Sequence, residues 1–523
     1  MAPIEFDIEN VDYSNLSEAD RFYLKNYGIY NIKLTPQKFM LRVRLDGGVI
    51  EKARLIGLIN IAKEFNLKLI ATTRAGLELH NILPSDILKI YYKVKELGLS
   101  THQNLTDNIR NIVTDVYDGL VEDSKIECDP IIAQIREEFL DKKEFFGTIP
   151  RKFNTTIIGR VEPIINPWGS DLLFALAKSG SEYGFNIYLG GKNNQVAKDA
   201  NIFVPPSDAP KLFRAVVLAF KELGLRGSRS KTRLFYLLEE IGIEKFRDEV
   251  QKNFAKKLEN SGTLLMQTSK YKSITQLKDG TFAKALNLNY GELDLSTLEE
   301  LLKEHQIRVG ADQKLHLIGL KTKPNTIENA TILACAGSRY CPLSLWDIKK
   351  DINPLELEEF VKVGINVGFS GCLKGCGHHL LSDIGLVGLR SNLYSKTEKA
   401  LRVYFGATEL PKPTPARLLY FAVPLREIST LFRAFRELFL ASNYSDFRDL
   451  SAYLLKYEVE TLQLFFLLKI VGKANLEIEQ LLLNSATSNE QITKALLNND
   501  IVPTQEELHK IVNNLAHKAW DER

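Results

Sequence analysis

Four cysteines in two close pairs are the residues whose spacing most strongly indicates chemistry in this chain. Cys335 and Cys341 lie in ACAGSRYCP, and Cys372 and Cys376 lie in SGCLKGCG. Only 5 cysteines occur among 523 residues, and the fifth is Cys128. Iron–sulfur clusters are held by sets of four cysteine thiolates. Structural zinc also takes four, but with about two to four residues inside each pair, which the first pair does not match. The spacing favours a cluster, with zinc or ordinary buried thiols as the alternatives.

Composition and charge limit the class of protein. Apolar residues make up 45% and charged residues 25%, as in soluble globular proteins, and 523 residues suit several domains. The formal net charge is +3, and no basic stripe with interleaved aromatic residues suggests nucleic-acid binding. The acidic N-terminus is unlike a secretory signal, and no apolar run reaches the roughly 18 residues of a membrane span. We therefore expect a cytoplasmic protein whose thiols stay reduced.

The elements that must position the cysteines repeat within the chain. LRVRLDGGVI at 41–50 resembles KALNLNYGEL at 284–293. Each reads as an alternating strand, a glycine turn and then an amphipathic helix. Arg42 of the first block stands where the second has Ala285. Such self-similarity predicts an internally duplicated α/β (α+β) fold, with two small αβ units and two larger α/β domains related by a pseudo-two-fold.

Two further matches place the cysteines within the repeat. NTTIIGR, which ends at Arg160, resembles NATILAC, which ends at Cys335. GFNIYLGGK, which ends at Lys192, resembles GINVGFSGC, which ends at Cys372. We therefore predict that each cysteine pair begins just past a strand end, where α/β units present their ligand-binding loops. The metal site would then belong to the second copy alone.

Three other segments carry weaker signals. Residues 205–224 read as a capped helix with a proline in the first turn and a glycine after the end. Residues 424–474 read as largely helical, and the polar tail at 475–523 reads as a solvated helical appendage. Cys128 is interpreted as a structural thiol.

With the cysteines and repeats together, the chain resembles the siroheme-dependent nitrite and sulfite reductases over about residues 30–430. The resemblance rests on Cys-Ala-Gly-x3-Cys-Pro at 335–342, Gly-Cys-x3-Cys-Gly at 371–377 and DIGLVG at 383–388, with FMLRVRLDGG, TTRAGLELH, NIRN, PRKFN and RGSRSKTR in support. It implies one 4Fe-4S cluster on the four cysteines and a siroheme whose iron Cys376 also binds. It also implies six-electron reduction of nitrite to ammonia or of sulfite to sulfide.

The resemblance and the repeat together predict five regions along the chain. They are an N-terminal segment with the first ferredoxin-like half-domain at 1–150, the first siroheme-binding α/β domain at 151–260, the second ferredoxin-like half-domain at 261–328, the second α/β domain carrying the cysteines at 329–430, and a C-terminal helical region and tail at 431–523.

Siroheme carries many carboxylates, and their burial requires cationic partners. The spacings of three and four residues in RGSRSKTR predict that its three arginines share one helical face. The candidate partners that the resemblance implies are Arg74, Arg226, Arg229, Lys231 and Arg233.

The family pattern takes the substrate-binding side chains from three separate segments. They correspond here to Arg42 in MLRVR, Arg110 in NIRN, and Lys152 with Asn154 in PRKFN. Such cations hold a small anion and polarise its bonds. Sulfite reductases resembling this chain carry Lys-x-Lys and nitrite reductases Lys-x-Asn. The neutral Asn154 therefore favours nitrite, a monoanion, over sulfite.

The second cysteine block departs from the family pattern on both sides of Cys376. Lys374 precedes it, and a positive charge there should raise the reduction potential of the cluster. His378 and His379 follow it. We predict either that they relay protons or pair with siroheme carboxylates, or that they are solvent-facing loop residues.

No flavin or dinucleotide motif is present in the sequence. Electrons would then come from ferredoxin or a separate reductase subunit, as the resemblance implies. A different class of function remains an alternative, namely a non-catalytic scaffold that binds a cluster or zinc.

Overall fold

The computed structural model describes residues 6–267, 271–286, 288, 290–325, 328–352, 355–393, 397–408 and 413–521. The chain divides into two compact units, Met1–Ile327 and Glu328–Arg523. Strands and helices occur in both units, which confirms the predicted α/β class. The boundaries of the five regions stay a prediction. No helix in the described ranges is both long and apolar enough to cross a membrane.

The first unit contains three sheets and the helices that cover them. Its strands are β1 (Ile29–Tyr30), β2 (Phe39–Val43), β3 (Lys68–Ala71), β4 (Leu77–Ile82), β5 (Thr155–Ile158), β6 (Leu172–Ser179), β7 (Glu182–Leu189), β8 (Lys198–Val204), β9 (Thr263–Leu264), β10 (Ile274–Gln276), β11 (Phe282–Leu286), β12 (Gln306–Val309) and β13 (Leu315–Leu320). Its helices are α1 (Glu18–Tyr23), α2 (Lys52–Glu64), α3 (Ile87–Glu96), α4 (Asp129–Phe139), α5 (Ala209–Leu223), α6 (Leu234–Ile241), α7 (Ile243–Asn253) and α8 (Leu295–Glu304).

Two antiparallel sheets of this unit share one topology. Their strand orders are β1-β2-β4-β3 and β10-β11-β13-β12. Arg42 of β2 pairs with Glu78, and Ala285 of β11 pairs with His316. The predicted match between these two segments is therefore confirmed. Apolar side chains of both halves, including Leu58 from α2 and others from α8, enter one common core, because each half alone exposes an apolar sheet face.

The third sheet carries the predicted capped helix. β5 runs parallel to β6, and antiparallel β7 and β8 follow, while β9 pairs with the other edge of β6. Helix α5 has a proline in its first turn and ends at Gly224, as predicted. Its apolar residues recur every three or four positions, so one face of the helix packs into the sheet core.

The second unit contains one sheet of order β14-β15-β16-β17-β18 and a set of helices. The strands are β14 (Ile332–Ala334), β15 (Val367–Ser370), β16 (Ile384–Ser391), β17 (Glu398–Phe405) and β18 (Arg417–Pro424). The helices are α9 (Ile348–Asp351), α10 (Glu358–Val363), α11 (Ile428–Ala441), α12 (Phe447–Leu454), α13 (Val459–Ile470), α14 (Leu476–Leu483), α15 (Asn489–Leu497) and α16 (Gln505–Asp521).

The structure corrects which strands of the two larger domains correspond. The series β5-β6-β7-β8-α5 has the same directions as β15-β16-β17-β18-α11. One hydrogen bond recurs at the same place. Asn154 donates its backbone N–H to Asp171 at 2.8 Å, and Asn366 donates its own to Asp383 at 2.8 Å. The predicted pairing of GFNIYLGGK with GINVGFSGC equates β7 with β15 and is wrong, as is that of NTTIIGR with NATILAC.

With this alignment of strands, different residues of the first copy correspond to the cysteines of the second copy. The parallel pairings place Asp115 at the position of Cys335 and Arg160 at that of Cys372. The Arg160 guanidinium donates to Asp115 Oδ1 at 2.9 Å, and both side chains are buried. The predicted equivalences of Cys335 with Arg160 and of Cys372 with Lys192 are therefore wrong. A buried ion pair fills in one copy the place that two cysteines take in the other.

The C-terminal region is helical as predicted, but it is not a solvated appendage. Helices α15 and α16 both contact α13. Ile492, Leu508 and Trp520 are buried. Because these apolar residues recur at helical spacing on otherwise polar segments, each helix buries one face and exposes the other.

Candidate functional site

The four cysteines lie where two parallel strands end. Cys335 follows β14 directly, and Cys372 lies two residues after β15 ends. β14 and β15 are parallel neighbours, so both cysteine pairs leave the same edge of the sheet. Cys335 N–H donates to the carbonyl of Phe369 at 2.9 Å, which ties the two strand ends together. The predicted position of the cysteines past strand ends is confirmed.

Close packing of backbone holds the two cysteine loops against each other. A Cβ at Gly371 would lie 2.0 Å from Ser344 Oγ, so a side chain at this position cannot be accommodated without movement. Gly371 N–H donates to Cys335 Sγ at 3.1 Å. Gly337 has φ +70° and its carbonyl accepts from Cys341 N–H at 2.8 Å. The glycines therefore fix the backbone from which the thiols project.

Burial makes two of the four thiols costly to ionise. Burial raises the pKa of Cys335 to about 11. Burial also raises the pKa of Cys341, and the charges of Cys376 and Cys372 raise it further. All four are free of disulfide bonds, and Cys376 is exposed. Bound metal offsets this cost because it binds the thiolate form.

Four cysteine thiolates are a donor set that iron–sulfur clusters and structural zinc both use. In the described ranges, no three His, Cys, Asp or Glu side chains lie close enough together to hold a single metal ion. A zinc ion would draw its sulfurs to about 2.3 Å from one point. A four-iron cluster is wider, so its four thiolates stand further apart.

The histidines after the last cysteine have different environments. His379 is buried and its Nδ1 lies 3.0 Å from Ser370 Oγ. Burial, followed by the charges of His378 and Arg402, lowers the pKa of His379 to about 4. This burial favours the neutral imidazole of His379, and its predicted role stays a prediction. His378 is half-buried and Lys374 is exposed, and their predicted roles stay predictions.

In the first unit, three of the predicted cations come together. Burial lowers the pKa of Arg74 to about 10, and the charges of Arg233 and Arg42 contribute. Burial also lowers the pKa of Arg110 well below its ordinary value, with further contributions from Arg42 and Arg74. Within the part of the chain that the structure describes, the buried Nε atoms of Arg42, Arg74 and Arg110 have no hydrogen-bond partner. These three side chains form a cationic group that can receive an anion.

Backbone carbonyls and one carboxylate hold these guanidinium groups in place. Arg42 pairs with Glu78 across the β2–β4 ladder. Arg110 donates to the carbonyls of Asn104 and Thr106, each at 2.7 Å. The terminal nitrogens are thus fixed while the Nε atoms are left for another acceptor.

Lys152 and Asn154 lie beside Arg110 in the fold. Ile109 and Phe153 form a parallel bridge, and Arg110 N–H donates to the Phe153 carbonyl at 2.8 Å. Lys152 is half-buried and Asn154 is buried. The NIRN and PRKFN segments therefore run side by side, as a shared site requires.

A buried ion pair that the sequence did not reveal positions Asn154. Asp171 accepts the Asn154 N–H at 2.8 Å and receives Arg233 Nε at 3.0 Å and Nη2 at 2.6 Å. Such two-point pairing fixes the carboxylate plane. No local pattern distinguished Asp171 from a turn residue in PWGSDLLF.

The basic segment is not arranged as predicted. It forms only a 3-10 turn at Arg229–Lys231 before α6 begins, so the predicted shared helical face is wrong, because the chain is extended at Arg233. Arg229 pairs with Asp107 at 2.5 Å and stays 56% exposed. Arg226 and Lys231 are exposed. Their role toward siroheme stays a prediction.

Arg44 is a second residue that the sequence analysis missed. It is buried and donates to the carbonyls of Ile109 at 2.6 Å and Arg110 at 3.2 Å. It thereby joins the end of β2 to the NIRN segment. The alternation Arg42-x-Arg44 in MLRVR was a usable signal.

Comparisons with known proteins agree with this geometry. Residues 105–258 match the nitrite and sulphite reductase 4Fe-4S domain, and residues 26–97 match the nitrite/sulfite reductase ferredoxin-like half domain. The chain is 25% identical over 440 residues to a ferredoxin–nitrite reductase of Leptolyngbya laminosa. The alignment covers 76% of this chain and 86% of that protein. These matches support the nitrite and sulfite reductase family.

The chain also resembles a protein named for the other anion and, in its fold, a solved structure. It is 26% identical over 395 residues to sulfite reductase (ferredoxin) 2 of Mycolicibacterium paratuberculosis, covering 68% of this chain and 71% of that one. The solved structure of the NirA protein of Mycobacterium tuberculosis superposes with a TM-score of 0.76 at 21% identity, covering 87% of this chain and 94% of that one. That likeness confirms the duplicated fold.

The named relatives and the matched 4Fe-4S domain support an oxidoreductase with an iron–sulfur cofactor, and the prediction of an enzyme is confirmed. The matched 4Fe-4S domain covers 105–258, the copy that carries the cations. The four cysteines lie outside that match, at 335–376.

Proposed function

We propose that this reductase uses siroheme and a 4Fe-4S cluster to reduce nitrite to ammonia, in cytoplasmic nitrogen assimilation. Electrons would come singly from a ferredoxin-type donor, six for each nitrite. Reduction of sulfite to sulfide is the alternative, since one relative is named a sulfite reductase. The observation that carries the proposal is the half-buried cationic group formed by Arg42, Arg74 and Arg110, whose Nε atoms are buried.

Cations of like sign that lie close together are stabilised by an anion nearby. Loss of hydration disfavours the charges of Arg74 and Arg110, and the positive charge of Arg42 disfavours both further. A unit charge about 4 Å from a bound anion is worth about 4 kcal/mol at an effective dielectric constant near 20. The unpartnered Nε atoms supply directed donors as well as charge.

The anionic groups proposed for this region are siroheme carboxylates and the substrate. Arg74 is the best-placed partner for a carboxylate, because it lies within the cationic group and its Nε atom is buried without a hydrogen-bond partner among the described residues. The other candidates are Arg226, Arg229, Lys231 and Arg233. Two of them, Arg229 and Arg233, already pair with aspartates.

The thiols in the second unit are proposed to hold the metal. Cys335, Cys341, Cys372 and Cys376 would bind the cluster as thiolates, and Cys376 would also bind the siroheme iron. Cys376 is the exposed member of the set, so its sulfur is accessible to a second metal. The two cofactors supply the electron chemistry, and the chain supplies orientation and charge.

Arg42, Arg110, Lys152 and Asn154 are proposed to bind the substrate. The cationic side chains hold the anion and polarise its N–O or S–O bonds. Asn154 contributes a neutral amide at the fourth position. This charge balance suits nitrite, which carries one negative charge, better than sulfite.

An absorption spectrum with a steady-state assay tests the proposal. Protein made in siroheme-competent cells should show porphyrin-like bands with a broad cluster shoulder. Reduced ferredoxin should then support nitrite reduction with a higher kcat/KM than sulfite reduction. Cys376→Ser should remove the cluster shoulder and the activity, while the buried Cys128→Ala control should keep both.

Two results would overturn the proposal. A colourless protein with one zinc per chain would show that the thiols do not hold a cluster. A kcat/KM that favours sulfite over nitrite would assign the activity to the alternative.

A further inference from the structure

A buried lysine lies beside the first cluster cysteine. Lys349 is in α9 and is only 1% exposed. Its Nζ lies 3.4 Å from the carbonyl oxygen of Ala334, the residue immediately before Cys335. The next residue, Lys350, is exposed. Of these two adjacent lysines, Lys349 therefore places its charge inside the second unit, whereas Lys350 faces solvent.

The position of Lys349 is fixed by the first cysteine loop. A Cβ added to Gly337 would lie 2.9 Å from the backbone nitrogen of Ile348, which begins α9. The N–H of Ser338 donates to the Trp346 carbonyl at 2.6 Å. These contacts pack the start of the helix against the loop between Cys335 and Cys341.

The charge of Lys349 favours negative charge at the sulfur. Lys349 Nζ lies beside the carbonyl of the residue that precedes Cys335, so its positive charge acts on that sulfur. Burial of an ammonium is costly in free energy unless compensating charge lies nearby. A cluster held by four thiolates would offer such anionic charge close to Lys349.

We propose that the buried ammonium of Lys349 raises the reduction potential of the cluster and so sets how readily it accepts the donor's electron. The inference rests on the proposed function only in that the four cysteines hold a 4Fe-4S cluster. The step moves one electron from the reduced donor to the cluster, and no bond forms or breaks. A nearby positive charge stabilises the state with the extra electron, and cluster potentials depend on such charges and on solvent exposure.

Lys349 should act more strongly than Lys374. Lys374 stands between the last two cysteines in sequence but is exposed, so water and salt screen its charge. Lys349 is buried, and its field acts through a medium of lower dielectric constant. The expected order of effect is therefore Lys349 first, then Lys374, with Lys350 negligible.

The test is the midpoint potential of the cluster in the whole reductase, measured by a redox titration followed by electron paramagnetic resonance. Lys349→Met removes the charge at similar volume, and Lys349→Gln does so while keeping a donor for the carbonyl. Both variants should lower the equilibrium constant for cluster reduction at least tenfold, which is a fall in the midpoint potential of about 59 mV for one electron. Lys374→Met should shift the potential less, and Lys350→Met should leave it unchanged.

The outcomes separate this inference from the proposed function. The inference would be overturned if the equilibrium constant for cluster reduction in both Lys349 variants stayed within twofold of the parent value. Loss of the cluster from both variants would do the same, since Lys349 would then be part of what holds the site together. A parent protein without a cluster signal would instead refute the proposed function. A parent protein that holds a cluster but reduces neither anion would refute the proposed activity, and the potentials of the Lys349 variants would still test the inference.

Discussion

At the scale of single residues, Asn154 is the side chain on which the substrate assignment depends. Its backbone is clamped by Asp171, which Arg233 holds in turn. Asn154 lies directly before β5 and two residues after Lys152. The amide therefore has a defined position beside the cationic group, and the charge at this position should decide which anion binds best.

Asn154→Lys should shift preference from nitrite toward sulfite. One added charge close to the anion stabilises a dianion more than a monoanion, so the ratio of kcat/KM for sulfite to that for nitrite should rise at least about tenfold. Steady-state assays of both anions with the same donor measure this ratio. Asn253→Lys adds the same charge at an exposed position and should leave the ratio unchanged. An unchanged ratio in Asn154→Lys would mean that this side chain does not contact substrate.

The residue scale also shows which site contacts a sequence can reveal. Arg42 and Arg110 were found from short motifs that the family shares. Asp171 and Arg233 are separated by 62 positions, and nothing in either local segment specifies their pairing. Only the packing of α6 against the strand ends brings them together. Motifs therefore predicted the side chains that face the ligand, while the side chains that position them required the fold.

At the scale of secondary-structure elements, the parallel pair β14 and β15 carries the cysteine site. The two strands end side by side, and the loops that follow contact at Gly371 and Ser344. Because the Cys335 sulfur also accepts a hydrogen bond from the Gly371 N–H, a shift of this backbone moves a metal ligand directly.

Gly371→Ala should impair cluster assembly. Its Cβ would lie 2.0 Å from Ser344 Oγ and 2.6 Å from Ser344 Cβ, so the two loops must separate. Overpacking of this kind costs about 1–3 kcal/mol, and we expect a lower iron content and a lower Tm of the purified protein. The double variant Gly371→Ala/Ser344→Gly removes both clashing atoms and should recover most of the loss. Equal iron content in Gly371→Ala and the parent would show that the loops do not need this close approach.

The elements also explain why the repeat was only partly predictable. The two small sheets were matched correctly, because a strand, a glycine turn and a helix follow one another in each copy. The larger domains were misaligned, since short apolar strands such as TTII of β5 and ILA of β14 look alike at any register. The recurrent Asn–Asp hydrogen bonds of Asp171 and Asp383 reveal the correct register only once the strands are paired.

At the scale of the whole molecule, duplication has produced two domains with different chemistry at equivalent places. Asp115 and Arg160 form a buried ion pair where Cys335 and Cys372 project in the second copy. In the first copy these two side chains neutralise each other's charge at the strand ends, so no metal is needed at that place. The thiols of the other copy offer soft ligands instead.

The C-terminal helices belong to the second unit as packed elements, which the composition of the tail concealed. Polar residues dominate the segment, but its few large apolar side chains are spaced to face α13. The ring of Trp520 lies 5.1 Å from that of Tyr420 in β18, and the Trp520 carbonyl accepts a hydrogen bond from Arg426. The end of the chain is thereby joined to the edge of the sheet that carries the cysteines.

Trp520→Ala should therefore destabilise the second unit. Trp520 is 1% exposed, and truncation of a buried tryptophan costs about 3–5 kcal/mol through lost burial and the cavity that remains. Denaturant unfolding followed by circular dichroism should show a lower midpoint for this variant. Ile501→Ala, at a residue that is 74% exposed in the same tail, should change the midpoint little. If both variants unfolded at the midpoint of the parent, the tail would not stabilise the unit, and the contacts of α16 would be energetically unimportant.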